Sequence, residues 1–182
     1  ISLFDGHAFV LNSNTQGYNL DCRDSYGGVK EIYIAEKATI SAITATAGVI
    51  TAIDKDGTKV FFKYNLIAHT AEADQEATPS RENGTFMVKQ TVKFPINKMT
   101  VAVRNELLLL AQNRLYIVVV DNNGIGWLFG EGNGMMLAPT TAKTGRLLGD
   151  RNGFELSFES DEKTLAQQVD AATLLTLTTA ES

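Results

Sequence analysis

The stretch Tyr116 to Met136, YIVVVDNNGIGWLFGEGNGMM, decides how the rest of the chain is read. It sets Gly130, Gly132 and Gly134 in a G-x-G-x-G run just after apolar residues, a composition that suggests a phosphate cradle. A dinucleotide fingerprint needs its glycines where a strand turns into a helix, because the pyrophosphate sits on free backbone N–H groups at the helix N-terminus. Here Tyr116 to Val120 reads as one strand, Asp121-Asn122-Asn123-Gly124 as a turn, and Gly126 to Phe129 as the returning strand. The glycines therefore follow the second arm of a hairpin. Met135 to Pro139 is too short for a helix and runs into TTAKTG, which is turn chemistry. The spacing departs from G-x-G-x-x-G, and no G-x-x-x-x-G-K-[ST] occurs in the chain. The run is expected to be an exposed loop between strands, with no cofactor-binding residue.

Outward from this hairpin, most of the sequence alternates at period two. KVFFKYNL sets Val60, Phe62, Tyr64 and Leu66 against Lys59, Phe61, Lys63 and Asn65, and the Asp56-Gly57 turn before it predicts a hairpin with Gly48 to Ile53. TFMVKQTVKF sets Phe86, Val88, Val92 and Phe94 against Met87, Lys89, Thr91 and Lys93. FELSFE sets Phe154, Leu156 and Phe158 against Glu155, Ser157 and Glu159. Between two of these strands, residues 68–84 are polar, contain a proline and lack an apolar period, and so predict a long loop. One segment is helical in pattern: from an N-cap at Thr100, Val103, Leu107, Leu110 and Ala111 recur at three- and four-residue spacing, with Asn113 as a left-handed stop. Near the C-terminus, Ala166 to Ala172 reads as a turn of helix, or Leu175 and Leu177 as part of an edge strand. No fixed-period repeat or linker divides the 182 residues, so a single domain of about eight or more strands with one amphipathic helix is expected.

Composition narrows the function. Hydrophobic residues make up 44% and charged residues 20%, the balance of a globular domain. The apolar stretches Leu107 to Ala111 and Tyr116 to Val120 are separated by polar residues and are far short of a membrane span, so no membrane partner is expected. A net charge of −5 does not favour binding nucleic acid by counterion release. Residue 1 is Ile, and the opening ISLFDGHAFV lacks a basic n-region and a cleavage site, so no secretory signal is expected. Cys22, the single cysteine, forms no intrachain disulfide and fits a reducing cytoplasm. His7 and His69 stand in no metal-ligand spacing, and the Asp121 turn offers Ile125 where a calcium loop needs an oxygen. There is no G-x-S-x-G elbow. No catalytic, cofactor or metal residue is assigned, and the chain is not expected to be an enzyme.

Four stretches in order carry a resemblance: LDCRDSYGGVKEIYIA (Leu20 to Ala35), SRENGTFMVKQTVKF (Ser80 to Phe94), NKMTVAVRNELLLLAQNRLYIVVVDNNGIGWLFG (Asn97 to Gly130) and TGRLLGDRNGFELSFESDEK (Thr144 to Lys163). Together they resemble tail tube proteins of tailed bacteriophages, of the type found in phages of gut Bacteroidota hosts. Residues 1–19 lie outside the match and are expected to be an N-terminal arm. The resemblance implies an α+β, mainly β fold: two packed antiparallel β-sheets, sandwich or barrel, with one flanking amphipathic helix at about 100–113. It further implies a non-enzymatic virion protein, built in the host cytoplasm, whose hexameric rings stack into a tail tube that DNA leaves through without being bound. Its partners would be further copies of itself and other tail or head–tail connector proteins. A head decoration or head–tail joining protein is the alternative, and a small-ligand-binding β-barrel is a third.

Two sets of residues are singled out on this basis. Glu72, Asp74, Glu76 and Ser80 belong to the predicted loop, which would reach between subunits and order on assembly. Glu155, Ser157 and Glu159 share the polar face of a strand and are candidates for the lumen wall, since a conduit should repel phosphates rather than bind them. Strand alternation leaves open whether that face meets the bore or the outer solvent. Lys89 and Lys93 are expected outside the bore, or paired with carboxylates there.

Overall fold

The computed structural model describes residues 26–80, 82, 84–147, 150 and 152–179. Residues 1–19, Cys22 and His7 lie outside the described residues. The fold is mainly β, with two sheets and two helices. The hairpin of the opening stretch is its centre: β7 (Leu115–Asp121) and β8 (Gly126–Phe129) pair antiparallel, Ile117 opposite Phe129 and Val120 opposite Gly126. Asp121 closes the turn, its carboxylate accepting from the N–H groups of Asn123 at 2.8 Å and Ile125 at 2.9 Å. All six residues Leu115 to Val120 are buried, the pattern of a strand covered on both faces.

Around this pair a seven-stranded sheet runs in the order β2 (Ile40–Thr46), β3 (Val49–Lys55), β12 (Gln167–Val169), β8, β7, β1 (Val29–Glu36), β4 (Phe62–Asn65). Its neighbours are antiparallel except β12, which runs parallel to β3. A five-stranded sheet takes the order β10 (Thr141–Lys143), β11 (Gly153–Glu162), β6 (Thr85–Asn97), β5 (Glu72–Ser80), with β9 (Met136–Leu137) also on β11. Among the described residues both sheets end in strands without a further partner, and neither sheet closes into a barrel. Between them Ile32, Ile117, Val119, Phe94, Leu156 and Phe158 form the main core, and Phe94 stacks on Phe158 at a 5.8 Å centroid distance. A second core of Ile50, Phe61, Tyr116, Val118, Leu128 and Leu177 lies on the other face of the seven-stranded sheet. Leu174 of α2 (Ala171–Thr176) packs against it.

Several local expectations change. β3 and β4 do not form a hairpin: β3 pairs with β2 and β12, while β4 pairs with β1. The Asp56-Gly57 turn is present, with Gly57 at φ 59°, but the chain after it is tied to the segment that follows α2, where Phe61 N–H donates to the Leu177 carbonyl. Phe61 is consequently buried while Phe62 is 64% exposed, the reverse of the expected facing. Phe86, expected in the core, is 52% exposed: β11 pairs with β6 only as far as Val88, so at Phe86 the strand has β5 alone as its partner. The Ala166 to Ala172 and Leu175–Leu177 alternatives resolve differently from either reading: β12 comes first, then α2, and Leu177 is buried.

The helix α1 (Val101–Gln112) forms as expected, the Thr100 hydroxyl accepting from Val103 N–H at 3.3 Å. Leu110 is its one buried residue, Val103 and Leu107 are half-buried, and Ala111 is exposed. Asn113 is extended (φ −110°, ψ 154°) rather than left-handed, because β7 begins at Leu115 and the chain must straighten at once.

Candidate functional site

The predicted loop 68–84 is largely a strand. Glu72 to Ser80 form β5, nine residues paired with β6 from Glu72 opposite Lys93 to Ser80 opposite Thr85. The polar composition that suggested a loop belongs instead to a sheet edge, where among the described residues one flank has no partner strand and the outer face is exposed.

This correction brings the two candidate sets together. Side chains on one face of a sheet recur at every second residue, and registered partners share that face. Rows therefore run from β5 across β6 to β11: Glu72, Lys93, Ser157; then Asp74, Thr91, Glu159; then Glu76, Lys89, Asp161. Glu155 extends the same face opposite Pro95, with Thr141 beside it on β10, and Ser80 lies at the turn end. All seven candidates, Glu72, Asp74, Glu76, Ser80, Glu155, Ser157 and Glu159, thus share the outer face of the five-stranded sheet. The sequence reading stopped at Glu159 and missed Asp161, although the same alternation continues to it.

The face carries six carboxylates, Glu72, Asp74, Glu76, Glu155, Glu159 and Asp161, and three lysines, Lys89, Lys93 and Lys143, a net charge of −3. Each lysine is ion-paired: Lys89 with Glu159 at 3.0 Å, Lys93 with Glu72 at 2.9 Å, Lys143 with Glu155 at 3.1 Å. The hydrogen bonds that Lys89 donates to Glu159 and Lys93 donates to Glu72 raise the affinity of both lysines for their protons. The side chains are about half exposed, so solvent screens the pairs and they contribute little to stability. Their main effect is on charge, since the ammonium groups are already engaged. Asp74, Glu76 and Asp161 make no ion pair among the described residues.

The glycine run is a carboxylate cradle within the chain. The Gly132 and Asn133 N–H groups both donate to Glu162 at 2.9 Å, and Ser160 donates to it at 2.6 Å. Gly130 N–H donates to the Gln90 side-chain oxygen at 2.9 Å. Gly130 and Gly134, both at φ 82°, give the loop the left-handed bends that let successive N–H groups converge on one anion. Beside it burial, reinforced by Glu162, holds the Glu131 carboxyl above its usual range, with Lys37 acting in the opposite sense. Glu162 was not found from sequence because it lies 30 residues downstream of Gly132.

Elsewhere the described residues offer little chemistry. No group of three or more His, Cys, Asp or Glu among them is gathered to hold a metal. No helix of the described residues is long and apolar enough to cross a membrane. An open cleft of about 500 Å³ lies between Tyr26, Asp74 and Trp127, but the Asn123 and Gln75 side chains on its wall already bond backbone groups of Tyr26 and Ala166. Comparisons with protein-family models, with curated proteins and with solved structures give no match.

Proposed function

We propose that the chain is a non-enzymatic structural protomer that assembles with copies of itself into stacked hexameric rings, in the manner of a phage tail tube, with the outer face of the five-stranded sheet turned to the bore. The observation that carries this reading is the charge arrangement of that face. Duplex DNA carries one charge per roughly 1.7 Å and binds to surfaces that offer free ammonium groups. A wall of net charge −3 whose lysines are held by their own carboxylates offers none. It would let DNA pass without retention.

The strand edges support self-association. β5 and β2 are long edge strands of nine and seven residues. β2, ISAITAT, carries no charged residue or proline to discourage a further strand from pairing with it, whereas β5 carries Glu72, Asp74, Glu76 and Pro79. Light scattering with negative-stain microscopy at micromolar concentration tests the reading. Rings or tubes are expected, and a monomer across salt and pH would overturn it. A closed symmetric plug without a bore would instead favour a decoration or joining protein.

A further inference from the structure

We propose that Glu131 and Gln167 form a proton-operated latch that fastens β12 to the glycine run. Gln167 opens β12, the three-residue strand that stands between β3 and β8 in the seven-stranded sheet. The N–H groups of Gln168 and Asp170 hold β3 from there, donating to the Gly48 and Ile50 carbonyls at 3.1 and 2.9 Å. Among the described residues β12 is the one strand that joins the β2–β3 pair to the rest of its sheet. A contact that fixes Gln167 therefore acts on that junction.

The Gln167 side chain is only half satisfied. Its Nε2 donates to Glu131 Oε1 at 3.4 Å, whereas its Oε1 is buried and has no hydrogen-bond partner among the described residues. A buried amide oxygen in that state costs free energy until a donor reaches it. An ionised carboxylate only accepts, but a protonated carboxyl carries an O–H donor and keeps an accepting oxygen. Acid and amide then exchange two hydrogen bonds, the Glu131 O–H donating to Gln167 Oε1 and the Gln167 Nε2 donating back.

The surroundings favour that proton. The Glu131 carboxyl is half-buried and Glu162 of β11 stands beside it, and both effects raise its proton affinity. Lys37 acts against them from the segment between β1 and β2, but its ammonium group donates to the carbonyls of Glu131 and Gly132 and lies 5.2 Å from the centre of the Tyr116 ring. From β7 the Tyr116 hydroxyl donates to the Glu131 carbonyl at 3.3 Å, and Arg114 donates to the Asn133 carbonyl at 2.8 Å. Gln167 is thus the one group hydrogen-bonded to the Glu131 carboxyl among the described residues. The second bond exists only with the proton, so the latch is closed at low pH and opens as pH rises through the folded-state titration of Glu131.

Hydrogen exchange of the full chain, read residue by residue by mass spectrometry from pH 4.5 upward, tests this. Protection of Gln168 and Asp170, corrected for the intrinsic pH dependence of exchange, should fall about tenfold, the factor that one lost hydrogen bond gives. Protection within β7 should stay constant. In Glu131→Gln an amide donates and accepts at every pH, so β12 should remain protected throughout. In Gln167→Leu it should be weakly protected throughout. Wild-type protection of β12 that does not fall, or a fall that persists in Glu131→Gln, would overturn the latch.

Discussion

Glu162 is 5% exposed, and its carboxylate is the acceptor for two backbone N–H groups of the glycine run. Removing it strands those donors, so Glu162→Ala should cost about 3 kcal/mol in urea denaturation, and Glu162→Gln clearly less because an amide oxygen still accepts. A loss below about 1 kcal/mol for the alanine variant would show that the loop holds without its anion. Glu131 gives a pH signature with a definite sign. Its carboxyl is raised above the ordinary 4.5, so the folded chain binds this proton more tightly than the unfolded chain. That contribution is complete below pH 4.5 and is lost as pH rises through the folded value. Glu131→Gln should therefore remove a loss of stability that the wild type shows as pH rises from 4.5. Equal pH profiles for the two chains would contradict the placement of Glu131. On the helix, Leu110→Ala should cost about 2–4 kcal/mol and the half-buried Leu107→Ala about half as much. The reverse order in chemical denaturation would mean that α1 presents a different face to the core.

The elements differ in how far their sequences announce them. β7 and β8 were legible because a run buried on both faces must be apolar throughout, and Asp121 to Gly124 supplies its own turn chemistry. β6 and β11 were legible because each buries one face, so alternation is written into Val88, Val92 and Phe94 and into Leu156 and Phe158. β5 was not, because the face opposite its carboxylates carries only Ala73, Gln75, Ala77 and Pro79, too weak an apolar alternation to announce a strand, and its strand state comes from the ladder with β6. The partners of β3 and β4 were also hidden, since the Phe61 to Leu177 hydrogen bond joins residues far apart in the chain. The candidate residues were thus identified individually, but the face uniting them needed the register. That face makes a prediction of its own. Replacing Asp74, Glu76 and Asp161, which make no ion pair among the described residues, by lysine turns its net charge from −3 to +3. The wild type should leave duplex DNA unretarded in a gel at about 100 mM salt, while the triple variant retards it with steep salt dependence. Retardation by the wild type would contradict a repelling wall.

For the whole molecule, two sheets around a shared core leave β2, β4, β5 and β10 at sheet edges, with no further partner strand among the described residues. On the proposed reading, those edges are where further copies of the chain would pair. The most direct test is a cryo-electron microscopy reconstruction of the assembled wild-type chain. The account predicts a hollow hexameric tube in which Glu72, Asp74, Glu155 and Glu159 face the bore and Lys89, Lys93 and Lys143 remain paired to carboxylates there. A tube with that sheet face on its outer surface, or a bore lined by unpaired lysines, would contradict it.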